Sequence, residues 1–237
     1  MTPAEILPVL SVVAAGYLIG AVPFGLLIGR CRGTDIRRAG SGNIGATNVW
    51  RVLGWRCGLT AFILDTLKGL VPTACAPRIW AHTAAGAMLA EGGGRRLYLA
   101  WLAVAAAAIL GHIFPVYLRF RGGKGVATSL GALLGLWPYY TLPGLLCFAL
   151  WGVVFALSGY VSLSSMLAAL AFPLVYFGLA VLCRWDPTGG QRSLLVFAVV
   201  MAVLVVYRHR TNLQRLLAGQ ENRFGKRSRG EADGPAA

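Results

Sequence analysis

Negative charge is scarce in this chain. Asp and Glu number 8 in 237 residues against 22 Lys and Arg, a formal net charge of +14. Charged residues of both signs reach only 13%, about half of the ~25% usual for soluble domains. Hydrophobic residues make up 57% and the mean hydropathy is +0.67. A soluble domain is thereby excluded. In a soluble protein the positive excess would point to nucleic acid. Here the cations fall between apolar runs, where they set topology and attract anionic lipid or anionic substrate. No nucleic-acid partner is expected. Histidine is also scarce: His82, His112 and His209 are too far apart for metal-ligand spacing. The five cysteines, Cys31, Cys57, Cys75, Cys147 and Cys183, form no Cys-x-x-Cys, so neither a zinc site nor a disulfide framework is indicated. No metal and no cofactor is expected.

What is present in quantity is long apolar sequence. Ile6 to Ile28 carries no charge and as a helix would be ~35 Å long, enough for a bilayer. No Lys or Arg precedes it, unlike a signal peptide. Leu59–Ala76, Leu97–Leu118, Pro138–Leu157, Met166–Leu182 and Leu194–Tyr207 are further spans. Val126–Trp137 is apolar but only ~18 Å long as a helix, a half-helix or a short span. The runs are continuous rather than alternating, which argues against a β-barrel. The expected fold is all-α: a polytopic membrane bundle of seven transmembrane segments, with the N-terminus outside and the C-terminus cytoplasmic. Residues 1–227 are read as one membrane-embedded domain, and the small polar residues from Ser228 to 237 as a disordered tail. Pro77–Arg96 reads as an outside loop.

Cation placement orients the bundle. Arg30, Arg32, Arg37, Arg38, Arg51, Arg56, Arg119, Arg121, Lys124 and the tail from Arg208 fall on one side. Arg78, Arg95, Arg96, Arg184 and Arg192 fall on the other. The richer side is cytoplasmic. Four polar stretches then share that face: Gly40–Arg51, Gly111–Ser129, Ser158–Ser165 and Arg208–Arg223.

The first, Gly-Ser-Gly-Asn-Ile-Gly-Ala-Thr-Asn-Val-Trp-Arg, combines permissive glycines with Ser41, Asn43, Thr47 and Asn48, and ends in Arg51, a cation suited to phosphate. The second contains Arg121-Gly-Gly-Lys-Gly-Val-Ala-Thr128 and runs into an apolar helix. Glycine N–H groups at a helix N-terminus, with Lys124 beside them, make an anion site. It is not a nucleotide-binding P-loop, because Gly125 follows the lysine and Leu118 stands at the upstream glycine position. In the fourth, His209 and Asn212 share a helix face; the stretch reads equally as an interfacial anchor. Glu221 is an isolated acid that would hold an arginine in place. Asp65 and Lys68 lie inside a span at i and i+3, where they pair either to lock the bundle or to serve the site. His112 reads as a packing or capping residue. The face as a whole binds anions but offers no evident catalytic dyad.

At these stretches the chain resembles the bacterial membrane acyl-phosphate:glycerol-3-phosphate acyltransferases, the PlsY family. The resemblance rests on Pro23-Phe24-Gly25, Asp35-Ile36-Arg37, Gly40–Arg51, Asp65-Thr-Leu-Lys-Gly69, Gly111-His-Ile-Phe-Pro-Val116, Gly122–Thr128, Tyr160-Val-Ser-Leu-Ser-Ser165 and His209–Arg215 with Gly219 and Glu221. It implies a multi-pass enzyme of the bacterial inner membrane with its site facing the cytoplasm. The enzyme would transfer a fatty acyl group from acyl phosphate to the 1-hydroxyl of glycerol 3-phosphate, giving lysophosphatidic acid for phospholipid synthesis. Its partners are those two substrates and membrane lipid, with no acyl-CoA, acyl carrier protein or metal. Motif matching places Ser41, Arg51, Lys124, His209 and Asn212 around the phosphates and the acceptor. Gly42, Asn43, Thr47, Asn48, Gly122, Gly123, Gly125, Thr128, Ser162 and Ser165 are the substrate-binding candidates, and Asp65, Lys68 and Glu221 the structural ones. The proton would go to the departing donor phosphate or to His209. The His-x4-Asp pattern of another large class of glycerolipid acyltransferases is absent. Arg223 stands where lysine is expected, and His82–Arg96 matches no motif of the family. The competing reading is a transporter of phosphate esters, but Asp65 and Lys68 are the only charged pair deep in a span and no repeat relates the two halves.

Overall fold

The structure, a computed structural model, describes residues 2–91 and 94–224; the tail expected to be disordered lies outside them. The described residues form helices and no strand. In chain order they are α1 (Pro3–Ala21), α2 (Phe24–Cys31), α3 (Ala46–Leu53), α4 (Trp55–Ala81), α5 (Ala85–Ala90), α6 (Arg95–Ile113), α7 (Val126–Gly135), α8 (Thr141–Ser158), α9 (Val161–Leu182), α10 (Arg192–Arg208) and α11 (Arg210–Leu217). Among the described residues five segments are long and apolar enough to cross a bilayer: Pro3–Cys31, α4, Arg95–Leu118, α8 and α9. A sixth is reached if α10 and α11, bent by 57°, count as one span. All seven expected segments are helical, but α7 is only ~15 Å long at 1.5 Å per residue. Length and composition therefore support five or six spans.

Proline does not act uniformly here. The expected first span is broken at Val22–Pro23, where the ring removes a backbone donor. The Val22 carbonyl at this break accepts a hydrogen bond from Lys68 Nζ at 2.7 Å. Helix α4, by contrast, runs through Pro72 and Pro77 to Ala81. The start of the expected outside loop is thus helix, and α5 follows within it.

Helices α4 and α7 meet backbone to backbone. A methyl group at Gly131 would lie 1.8 Å from the Thr66 carbonyl, and one at Gly69 2.1 Å from the Thr128 carbonyl. Only glycine permits this approach, which replaces the missing hydrophobic drive between helices in lipid by close van der Waals contact. The core lies toward the end of the bundle where α8 begins. There Trp101 Nε1 donates to the Thr73 carbonyl at 2.6 Å, Trp80 Nε1 donates to the Pro8 carbonyl at 3.2 Å, and the buried Tyr140 hydroxyl donates to the Leu194 carbonyl. These bonds tie α6 to α4, α4 to α1, and the α7–α8 junction to α10. A smaller cluster of Leu26, Ile36, Ile44, Val49 and Ala61 fastens α2, α3 and the loop between them onto α4.

Candidate active site

A cavity of about 440 Å³ opens where the starts of α3 and α7, the α10–α11 bend and the C-terminal segment meet. Its mouth is polar, with Ser41, Asn43, Thr47, Lys124 and His209 among the lining residues, and its interior is apolar, between α4, α7, α8, α9 and α10. The four polar stretches picked out in the sequence all contribute to it.

Asn48 builds the first wall. It is buried, its amide nitrogen lies 3.0 Å from the Ile36 carbonyl, 3.1 Å from that of Ala39 and 2.8 Å from that of Asn43, and its Oδ1 accepts from the Ser41 N–H at 2.8 Å. The amide is therefore spent on folding the loop. Asn43 Oδ1 accepts from the Gly45 N–H at 2.8 Å and turns the chain into α3. Gly45, Ala46 and Thr47 at that helix start line the cavity. The first N–H groups of a helix lack intrahelical acceptors and attract anions. Gly42 and Arg51 do not line the cavity. Arg51, exposed on α3, acts from a distance by lowering the Lys124 pKa.

The second wall corrects an expectation. The glycines before Lys124 do not offer their N–H groups to a ligand: Gly122 donates to the Ile113 carbonyl at 3.2 Å and Gly123 to the His112 carbonyl at 3.1 Å. They fold the loop back on the end of α6. A methyl group at Gly123 would lie 2.2 Å from His112 Nε2, so glycine is required for that contact. The donors left for an anion are those at the start of α7, where Gly125, Val126 and Ala127 line the cavity. Thr128 is wholly buried, with its carbonyl against Gly69 of α4, and does not line the cavity. Its neighbour Ser129 does, with a buried hydroxyl that has no partner. Successive helical residues point ~100° apart at 3.6 residues per turn, so Ser129 faces the cavity where Thr128 faces α4.

Lys124 Nζ donates to Asn212 Oδ1. Asn212 Nδ2 donates to Glu221 Oε1 at 2.6 Å, Ser162 Oγ to the same oxygen at 2.7 Å, and Arg215 Nε to Oε2 at 3.0 Å. Arg208 donates to the Gly123 carbonyl at 3.0 Å. This network joins the second, third and fourth polar stretches, and places Asn212, Ser162 and Glu221 behind Lys124 rather than on the lining. Burial tends to raise the Glu221 pKa, but the hydrogen bonds from Ser162, Asn212 and Arg215 outweigh it and hold the group below the usual carboxylate range. Burial pushes Lys124 down to about 8; Glu221 opposes this, while Arg215, Arg208 and Arg51 add to it. The lysine is then cationic below about pH 8 and loses its charge as pH rises through that value. The kcat/KM for an anionic substrate, which reports the free enzyme, is expected to fall above about pH 8, and a pH profile of kcat/KM checks it.

His209 closes α10, buried, with Nδ1 2.8 Å from the Val205 carbonyl. A carbonyl only accepts, so Nδ1 carries the proton and Nε2 is left as an acceptor. Ser165 lines the cavity, accepts from Trp151 Nε1 at 3.1 Å and donates to the Val161 carbonyl at 2.8 Å.

Asp65 also lines the cavity, and beside it lies a residue read from the sequence only as packing. His112, 4% exposed, has Nδ1 3.7 Å from Asp65 Oδ1. Asp65 pairs with Lys68 at 2.7 Å. His112 thus stands between this ion pair and the Gly122–Gly123 loop and supports the loop from beneath. The signal available was the Gly111–Val116 stretch in the same set of motifs as Lys124. Among the described residues no three His, Cys, Asp or Glu gather as metal ligands.

Comparison with known proteins fits this geometry. Residues 10–219 match the family model described as glycerol-3-phosphate acyltransferase. The chain belongs to the glycerol-3-phosphate acyltransferase family. Members similar to it include the glycerol-3-phosphate acyltransferases of Geobacter sulfurreducens, 44% identical over 91% of this chain and 97% of the relative, and of Syntrophotalea carbinolica, 45% identical over 89% and 94%. Among solved structures, the crystal structure of PlsY, an integral membrane glycerol 3-phosphate acyltransferase, in its glycerol 3-phosphate form is 36% identical with a TM-score of 0.75, covering 92% of this chain and 96% of PlsY. The form with lysophosphatidic acid matches with the same score and identity. This acyltransferase is therefore an integral membrane enzyme, and the cavity shared by its polar stretches is its candidate active site.

Proposed function

We propose that this acyltransferase moves a fatty acyl group from acyl phosphate to the 1-hydroxyl of glycerol 3-phosphate, giving lysophosphatidic acid. The observation that carries the reading is the two-part cavity. Its mouth holds Lys124 and the starts of α3 and α7, and its interior is an apolar chamber. Acyl phosphate has its charge directly beside the acyl carbon, so a compact anion site opening onto a chain-sized chamber suits it. A second phosphate fits the second helix N-terminus. PlsY has been solved in glycerol 3-phosphate and lysophosphatidic acid forms, which supports the acceptor and the product.

In this reading the acceptor oxygen attacks the acyl carbonyl carbon, the bond from that carbon to the phosphate oxygen breaks, and inorganic phosphate leaves. Lys124 and the N–H groups at the start of α7 stabilise the negative charge that develops, and positioning supplies the rest. Ser41 and Thr47 hold polar groups of the substrates at the mouth, and Arg51 steers the anions in. Asn212 and Glu221 hold Lys124. His209 Nε2 accepts the hydrogen bond of the attacking hydroxyl and orients it, while the proton leaves with the donor phosphate. Among the described residues no carboxylate is bonded to His209 to steady an imidazolium, which favours the phosphate as final acceptor. The bundle is taken to have seven membrane segments, N-terminus outside and C-terminus cytoplasmic, in the bacterial inner membrane, so that the cation-rich face and the cavity mouth meet the cytoplasm.

The test is turnover by purified protein with glycerol 3-phosphate and one donor at a time. Acyl phosphate should give lysophosphatidic acid and phosphate in equal amounts, and acyl-CoA none; turnover of acyl-CoA alone contradicts the reading. The His209→Asn variant checks the proton route. It is expected to lower kcat yet keep the shape of the pH–rate profile; loss of one limb would make His209 the base.

A further inference from the structure

The apolar chamber has a floor and a side wall. Its lining runs from Val161 to Phe172 on α9, from His209 to Ala198 on α10 and from Phe155 to Gly144 on α8. These stretches start at the mouth and stop at one level. Gly144 and Leu133 of α7 adjoin there, since a methyl group on Gly144 would lie 3.3 Å from Leu133 Cβ. Beneath them sits Tyr140, wholly buried, its hydroxyl bonded to the Leu194 carbonyl and its ring 5.0 Å from that of Phe172 and 6.4 Å from that of Phe197. To the side, Phe62 of α4 stacks on Phe148 of α8 at 6.1 Å, and the row continues through Trp151 and Phe155 at 5.9 and 5.2 Å.

We propose that this floor, Phe172 with Gly144 and Ala198 above the Tyr140 plug, measures the acyl chain and sets the preferred donor length at about 14 carbons. The inference rests on the acyl-phosphate reading. Each lining stretch is ~16 Å deep at 1.5 Å per residue. An extended chain advances ~1.2 Å per bond, from 3.3–3.6 Å for the three backbone bonds of a residue. About 14 carbons therefore reach from the mouth to the floor. A shorter chain leaves the bottom unfilled and loses favourable burial. A longer one must bend against rings held by a buried hydrogen bond and close packing. Methylene groups that find or lose their place in a pocket change kcat/KM by roughly 10-fold or more, so the length profile should be peaked.

The experiment measures kcat/KM with glycerol 3-phosphate for saturated acyl phosphates from 10 to 18 carbons. The unmodified enzyme should peak near 14. Phe172→Ala deepens the floor and should raise the ratio of the 18-carbon to the 12-carbon donor at least tenfold. Gly144→Leu raises the floor and should lower that ratio at least tenfold. The milder pair Phe172→Leu and Gly144→Ala should shift the ratio in the same opposite directions, which keeps the test available if a larger change prevents folding. The KM for glycerol 3-phosphate should stay unchanged, because the floor is remote from the mouth. A flat profile, or variants that turn over every donor with an unshifted ratio, would overturn the floor as a ruler while leaving the donor assignment intact. Failure of the unmodified enzyme to use any acyl phosphate would instead overturn the reading beneath it.

Discussion

Replacing Lys124 by methionine is expected to lower kcat/KM for acyl transfer about 10²–10³-fold, the usual cost of removing one donor from a charge-stabilising site. Among the described residues lining the cavity, Lys124 is the only lysine or arginine. Arg51, Arg208 and Arg215 surround it without lining the cavity, so they strengthen the field but cannot replace its contact. Methionine keeps most of the apolar stem and removes the charge. The expected fall in kcat/KM above about pH 8 should vanish in the variant, because the group that titrates there is gone. Unchanged thermal unfolding, measured alongside kinetics, would show that the loss lies in the site. Arginine at this position should restore only part of the activity, since its planar fork cannot replace a point charge directed at Asn212. Activity within about twofold of the unmodified enzyme would remove Lys124 from the machinery.

The second large effect concerns stability. Asp65→Ala is expected to destabilise the protein by about 3–5 kcal/mol, as removing one partner strands a buried charge. Both side chains of the Asp65–Lys68 pair are 2% exposed. Lys68 would retain the Val22 carbonyl at 2.7 Å, a neutral acceptor that cannot compensate for a full charge. His112 would also lose the carboxylate 3.7 Å from its Nδ1, loosening the loop that carries Lys124. The double variant Asp65→Leu, Lys68→Met should regain most of the stability, because packed apolar residues often replace a buried ion pair without loss. Thermal unfolding in detergent reads both outcomes. A stable enzyme that lacks only Asp65 would mean that the pair contributes little to the fold.

These two residues also show what the sequence could and could not tell. The polar stretches were grouped from hydropathy, which marks candidate spans, and from cation bias, which sorts the loops between them. That argument needs no contact information, and the cavity mouth contains Ser41, Thr47, Lys124 and His209 together. Roles within the stretches were less legible. Asn48 looks like a ligand-binding amide until its hydrogen bonds to the loop are seen. Gly122 and Gly123 look like anion donors until their N–H groups are found on α6 carbonyls. Choosing between Thr128 and Ser129 requires knowing that α7 starts after Gly125. The prolines carry the same lesson. Pro23 stands at a helix break, whereas Pro72 and Pro77 lie inside α4. Pro77 leaves the Thr73 carbonyl, four residues earlier, without its helical donor, and Trp101, a residue distant in sequence, donates to it instead.

The most direct test of the account is a structure of the enzyme with glycerol 3-phosphate and a non-transferable acyl phosphate analogue bound. One phosphate should lie within hydrogen-bond distance of Lys124 Nζ and the start of α7, and the other at the start of α3. The acyl chain should extend along α9 and α10 toward Phe172, and the acceptor hydroxyl should face the acyl carbon beside His209. Phosphates bound away from Lys124 and both helix starts, or an acyl chain lying outside the chamber, would contradict it.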